Sequence, residues 1–338
     1  MSPLDTTAQV LLEQGRPADA RPLLRECLAW ARATSNPVVE YHVLLSDALA
    51  CLATGDEHET LELLRGALRL GREHSFVTHP WIGWRRDLFA RLAAVALEHD
   101  IETDHVTAVI EASRIEPPEG AGVAWPWPVR VRTLGRFEVL LGRTALPFGP
   151  KVQRKPLELL RAIVAHGGID VREEVLLDTL WPDADGDAAQ HALEMTVHRL
   201  RKLLGIPGAI VQRDRMLSLD PKRCWVDALV LRRSIAAAHV VIDAGAAAGR
   251  DAVRREAARI AALYRGPFLT SSVDERPWAG EMRNRIRAEL GRYLEALQRF
   301  EGDGSGGPIV DACRRQLVDA DPVIATRSAM AAPTRARS

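Results

Sequence analysis

His191, Met195, His198 and Lys202 stand at i, i+4, i+7 and i+11, with Arg199 beside them and Arg201 on the flank. On a helix of 3.6 residues per turn these side chains form one stripe, and Leu193, Val197, Leu200 and Leu204 form the opposite one. Lysine and arginine can neutralise phosphates and donate to guanine edges, and a methionine can meet a thymine methyl. A second basic pair, Arg213 and Arg215, flanks Asp214 between two short strand-like runs. An ordinary solvated helix has a similar composition, so the helix alone does not decide the matter.

Other chemistries find no set of residues to carry them. No G-x-x-x-x-G-K-[ST] loop is present, and Gly245 to Arg250 lacks both the lysine and the hydroxyl. No H-E-x-x-H pair occurs. His74 and His79 sit around a turn and read as surface residues, while His191 and His198 share a face but lack a third ligand. Asp183, Asp185 and Asp187 resemble the start of a calcium loop, without the glutamate that completes one. Turn and cap roles suit them better. Cys27, Cys51, Cys224 and Cys313 form no C-x-x-C pair. Cys27 and Cys51 lie on apolar helical faces and are expected in a core. The chain is thus expected to be no enzyme, with no catalytic residues, no metal and no cofactor.

Three helices must position the basic stripe. Pro156 suits a first helical turn, and Leu157, Leu160, Ile163 and Val164 mark a helix that stops at Gly167-Gly168. Asp170 with Glu173 reads as a capping box for a short helix through Leu176, Leu177 and Leu180, ended by Trp181-Pro182. Asp187 with Gln190 reads as a second box, opening the basic helix that Gly205 and Pro207 close. Upstream, Val129 to Leu134 and Phe137 to Leu141 are strand-like. Downstream, Ile210 to Gln212 and Met216 to Leu219 pair as a hairpin. Strands, three helices and a hairpin are the order of a winged helix-turn-helix.

Four motifs carry a resemblance: Leu134-Gly135-Arg136-Phe137, Arg154-Lys155-Pro156-Leu157-Glu158-Leu159-Leu160, Leu180-Trp181-Pro182-Asp183 and His198-Arg199-Leu200-Arg201-Lys202-Leu203-Leu204-Gly205. In this order they resemble the bacterial OmpR/PhoB-type winged-helix domain, most of all the version in SARP-type transcriptional activators. The resemblance implies that the third helix reads the major groove and the wing touches the adjacent minor groove. Carried over by position, His191, Met195, His198, Arg199, Arg201 and Lys202 become base-edge and phosphate candidates, and Arg213 and Arg215 wing contacts. Leu263-Tyr264-Arg265-Gly266-Pro267-Phe268-Leu269, with Trp278, Arg283 and Arg285, resembles the bacterial transcriptional activator domain (BTAD) that follows the winged helix in these regulators. A break at Gly302 to Gly307 and only one further short helix, around Val310 to Asp319, make this a partial, truncated copy by expectation. The tail after Ile324 is expected to be disordered.

The N-terminal third repeats itself. Gly15, Leu23, Leu24, Arg25, Leu28 and Arg32 recur 40 residues on as Gly55, Leu63, Leu64, Arg65, Leu68 and Arg72. A fixed period in this range signals stacked helical hairpins. Tyr41 to Ala53, Trp84 to Glu98 and His105 to Ile115 continue the helical pattern. The array resembles tetratricopeptide repeats, as in MalT-like regulators that lack their ATPase module, so any nucleotide switching is expected to need another polypeptide. Glu116 to Gly122 and Trp125-Pro126-Trp127-Pro128 read as a linker.

Composition fits such an assembly. With 338 residues, 47% of them hydrophobic and 27% charged, each of two or three domains can bury a core. Formal net charge is zero, yet residues 1–128 hold 11 Lys/Arg against 19 Asp/Glu, and residues 129–227 hold 16 against 13. The modest surplus in the middle implies salt-dependent, modest non-specific affinity for a polyanion. No signal peptide is visible, and no run reaches the roughly 20 apolar residues that span a bilayer, so a cytoplasmic location off the membrane is expected.

The expected chain is mainly α. Residues 1–116 are TPR-like helical repeats, 117–128 a linker and 129–227 a winged helix with small β-sheets. Residues 228–322 are a partial BTAD and 323–338 a tail. It is expected to regulate transcription by binding double-stranded promoter DNA, as a homodimer or at tandem sites. RNA polymerase or a protein partner would meet the repeats. The competing expectation is a non-enzymatic protein–protein adaptor whose winged helix only packs; ion pairing of Arg199 or Lys202 with acidic neighbours would favour it. A third reading is a truncated, non-functional product.

Overall fold

The computed structural model describes residues 3–78, 85–147, 154–243, 250–270, 276–302 and 307–324. His79, much of the Gly245 to Arg250 and Gly302 to Gly307 stretches, and the tail after Ile324 lie outside them. Among the described residues are thirteen helices and two small sheets, and no helix is long and apolar enough to cross a membrane. The chain divides into two compact units, Met1–Pro126 and Trp127–Ser338.

The first unit is a stack of helices: α1 (Pro3–Glu13), α2 (Pro17–Ala33), α3 (Pro37–Thr54), α4 (Glu57–Glu73), α5 (Arg86–Glu98) and α6 (Thr103–Ser113). α2 and α4 begin and end 40 residues apart, as the repeated residues do. Leu24 and Leu64 occupy equivalent buried places. Neighbours pack along the chain, and α1 with α3, α3 with α5 and α4 with α6 also touch, the mark of stacked hairpins. α3 starts four residues before Tyr41, because Asn36 caps it by accepting from Val39 N at 3.2 Å and Pro37 occupies its first turn. Arg21 of α2 joins the stack electrostatically, pairing with Asp47 of α3 at 2.9 Å and with Glu59 of α4. Asp56 caps α4 by accepting from Glu59 N at 3.1 Å. Asp56→Ala should therefore cost about 1 kcal/mol of this unit's stability, measurable by urea unfolding.

The second unit opens with strands β1 (Val129–Arg132), β2 (Glu138–Leu141) and β3 (Thr144–Ala145). Then come α7 (Arg154–Ala165), β4 (Val171–Arg172), α8 (Glu173–Leu180), α9 (Gly186–Leu204), β5 (Ile210–Arg213), β6 (Met216–Leu219) and β7 (Cys224–Val226). Four helices follow: α10 (Asp227–Asp243), α11 (Arg250–Leu263), α12 (Pro277–Glu301) and α13 (Pro308–Ala320). One sheet runs β3-β2-β1-β7, with β7 parallel to β1 and the other pairs antiparallel; the second is antiparallel, β4-β6-β5. The strands, the three helices α7 to α9 and the four later helices share one hydrophobic core, from Val129 through Leu160, Leu200 and Leu231 to Leu290 and Leu317.

Two of the motifs meet in that core. Gly135 N donates to Pro267 O at 2.9 Å, and Leu269 N to Thr133 O at 2.8 Å. The two glycines touch backbone to backbone: a Cβ on Gly266, whose φ is +150°, would stand 3.1 Å from Gly135 Cα. No side chain fits there without moving one segment. Gly266→Ala should cost about 2 kcal/mol or more, read as a lowered midpoint for the second unit alone.

Neither expected capping box forms. Asp170, at φ +50°, exchanges hydrogen bonds with Ser218 instead. Residues 171–172 pair with β6, which delays α8 until Glu173. α9 starts one residue before Asp187, with Asp185 at the cap accepting from Gly186 N at 3.1 Å, and Gln190 reaches Glu173 and Glu194 rather than the helix end.

Candidate nucleic-acid interface

α9 runs for 19 residues, about 28 Å at the helical rise. Leu193, Val197, Leu200 and Leu204 are at most 1% exposed, which fixes the helix's rotation on the core. α7 and α8 pack against it. The outer side therefore carries His191, Met195, His198, Arg199 and Lys202, all exposed, with Met195 at 41%. Among the described residues neither Arg199 nor Lys202 pairs with a carboxylate. Arg201 differs. Its Nε donates to Ile210 O at 3.3 Å, so it joins the helix to the base of the hairpin.

The hairpin β5-β6 turns at Asp214 and Arg215, with φ of +50° and +59°, the two left-handed residues of a type I′ connection. This turn aims the tip outward. Arg213 and Asp214 pair at 3.2 Å, but at 85% and 75% exposure the pair is solvated and adds little. Strand register sets Arg172, Met216 and Arg213 side by side across the three strands. Arg172 was not among the sequence candidates, because its strand is two residues long and has no visible period. The wing thus offers three exposed arginines: Arg172, Arg213 and Arg215.

A buried carboxylate ties helix to wing. Glu173, 3% exposed, accepts from Gln212 Nε2 through Oε1 at 2.7 Å and from Gln190 Nε2 through Oε2 at 3.3 Å. Its own N–H donates to Arg215 O at 3.0 Å. One residue at the start of α8 therefore touches α9, β5 and the wing turn. The motif residues also find each other. Lys155 donates to Leu180 O at 3.1 Å and lies 5.1 Å from the centre of the Trp181 ring, which closes the C-terminal end of α8 against α7.

No protein-family model matches this chain, and no curated protein does. Among solved structures, Mycobacterium tuberculosis EmbR in complex with a low affinity phosphopeptide matches at 18% identity, with a TM-score of 0.33 over 60% of this chain and 69% of that one.

All eight sequence candidates fall on α9 or the wing. His191, Met195, His198, Arg199 and Lys202 share the outer side of α9, Arg213 and Arg215 the hairpin tip, and Arg201 bridges the two elements. The acidic residues Asp183, Asp185 and Asp187 gather at the other end of α9, exposed and at the helix N-terminus, where the helix dipole favours negative charge. Among the described residues no His, Cys, Asp and Glu group is placed to hold a metal.

Proposed function

We propose that this protein is a sequence-specific, double-stranded DNA-binding transcriptional regulator, of the SARP and BTAD type that its motifs resemble. α9 enters the major groove, and the β5-β6 wing lies on the adjacent minor groove. Arg199 and Lys202 contact phosphates or guanine edges, Met195 a thymine methyl, and His191 and His198 the groove wall. Arg213 and Arg215 hold the wing to the backbone, and Arg201 contributes from the flank. The helical repeats take a protein partner, and the helices after β7 face the transcription machinery.

One observation carries this reading: a docked helix with a basic outer side whose Arg199 and Lys202 have no carboxylate partner among the described residues. Ion pairing of either residue with an acidic neighbour would favour the adaptor, and none is seen among the described residues. The test is to titrate the full chain onto a pool of random duplexes at several salt concentrations. Binding that weakens as salt rises, with enriched sequences on selection, is expected. Absence of salt-dependent binding rejects the reading.

A further inference from the structure

Reading a major groove with one element and a minor groove with another requires the two to be held at a fixed separation. We propose that Glu173 sets that separation, and with it the spacing between the bases read by α9 and those sensed by the wing. The proposal rests on the DNA reading above and adds a residue that would touch no DNA.

Glu173 is the one described side chain that accepts from both α9, through Gln190, and β5, through Gln212. It stands at the first turn of α8, and burial makes each bond count. The two partners are primary amides that can only donate to it. A carboxylate has two acceptor oxygens and serves both through charge-assisted bonds; the isosteric amide has one, and its NH2 is met only if Gln190 or Gln212 turns its own amide oxygen inward to form a neutral bond. Glu173→Gln therefore keeps the shape and weakens the tie by removing its charge assistance. The backbone bond from Glu173 N to Arg215 O survives, so the hairpin stays attached while its angle to α9 is loosened.

The pair can also be inverted. In E173Q/Q212E the amide oxygen at 173 accepts from Gln190, and its NH2 donates to the carboxylate at 212. The double variant should restore what the single one loses, which a general packing role would not do.

The experiment compares the full-length protein, E173Q and E173Q/Q212E by DNA selection and by amide hydrogen exchange. For E173Q the bases beneath α9 should stay enriched, while flanking preference spreads or disappears. Wing amides at Val211 to Ser218 should exchange about tenfold faster, with α7 amides unchanged. E173Q/Q212E should return both towards wild type. Unchanged wing exchange in E173Q, equal acceleration in α7, or no recovery in the double variant overturns the proposal. If the wild-type protein selects no DNA, the DNA reading fails, and the exchange arm still decides whether Glu173 holds the wing to α9.

Discussion

Asp227→Ala is expected to lower the unfolding free energy of the second unit by about 4 kcal/mol, the largest stability loss of any polar substitution argued for this chain. Asp227 is fully buried where β7 passes into α10. Its Oδ1 accepts from Thr133 N and Thr133 Oγ1, both at 2.7 Å, and from Ala228 N at 2.8 Å, while Oδ2 accepts from Leu134 N at 3.0 Å. Arg265 stands 3.6 Å from Oδ2. Burial pushes the carboxyl upward, and these donors oppose it. Alanine leaves three backbone N–H groups and a hydroxyl without an acceptor in a dry interior, each costing about 1–3 kcal/mol before relaxation. It also releases the Thr133 to Gly135 segment that Pro267 and Leu269 lean on, so the later helices loosen with the strands. Calorimetry should show one transition falling by about 10 °C and the transition of the helical repeats unmoved. Asp227→Asn should fall nearly as far, because its NH2 faces a donor. A loss below about 1 kcal/mol for alanine would mean that water replaces the carboxylate.

What the sequence makes visible depends on length and repetition. α9 spans more than five turns, so its apolar stripe averages out local noise, and every residue assigned to its core side is buried. The 40-residue repeat is legible for the same reason: α2 and α4 reproduce the offset in their ends. Strands of two or three residues leave no such trace. β3, β4 and β7 exist through the partners that they pair with, and no window of their own sequence contains that information. The capping boxes fail for a related reason. Asp170 and Glu173 have the right types at the right spacing, but Ser218 and Gln212 compete for them across the fold and win. The motif residues could be recognised singly, whereas their meeting could not. Nothing local says that Gly135 lies against Gly266, or that Lys155 reaches the end of α8. The candidate site is thus half legible. Its charged stripe follows from period, and the Glu173 tie that holds it to the wing belongs to tertiary structure.

Removing Arg199 and Lys202 together, as Arg199→Ala with Lys202→Ala, should weaken DNA binding by about 100-fold at physiological salt, at the low end of what two charged contacts are worth. Both side chains point away from the core, so the folded unit should unfold at the wild-type midpoint, and a fall in affinity can then be assigned to the interface. The salt dependence separates their roles. Each lost phosphate contact should reduce the slope of log K against log salt by about 0.9, while a lost base contact leaves the slope and flattens preference at one position. Arg201→Ala supplies the contrast. With its guanidinium donating to Ile210 O, it should change binding less and raise wing exchange more than either neighbour. Met195→Ala should leave the slope alone and relax selection against positions that lack a thymine methyl. If the double variant binds as tightly as wild type while the wild type is salt-dependent, the cationic surface lies elsewhere on the chain and α9 is a packing helix, which is the adaptor's arrangement. If affinity and slope fall together while sequence preference survives, the pair serves the backbone alone, and base reading passes to His191, Met195 and His198.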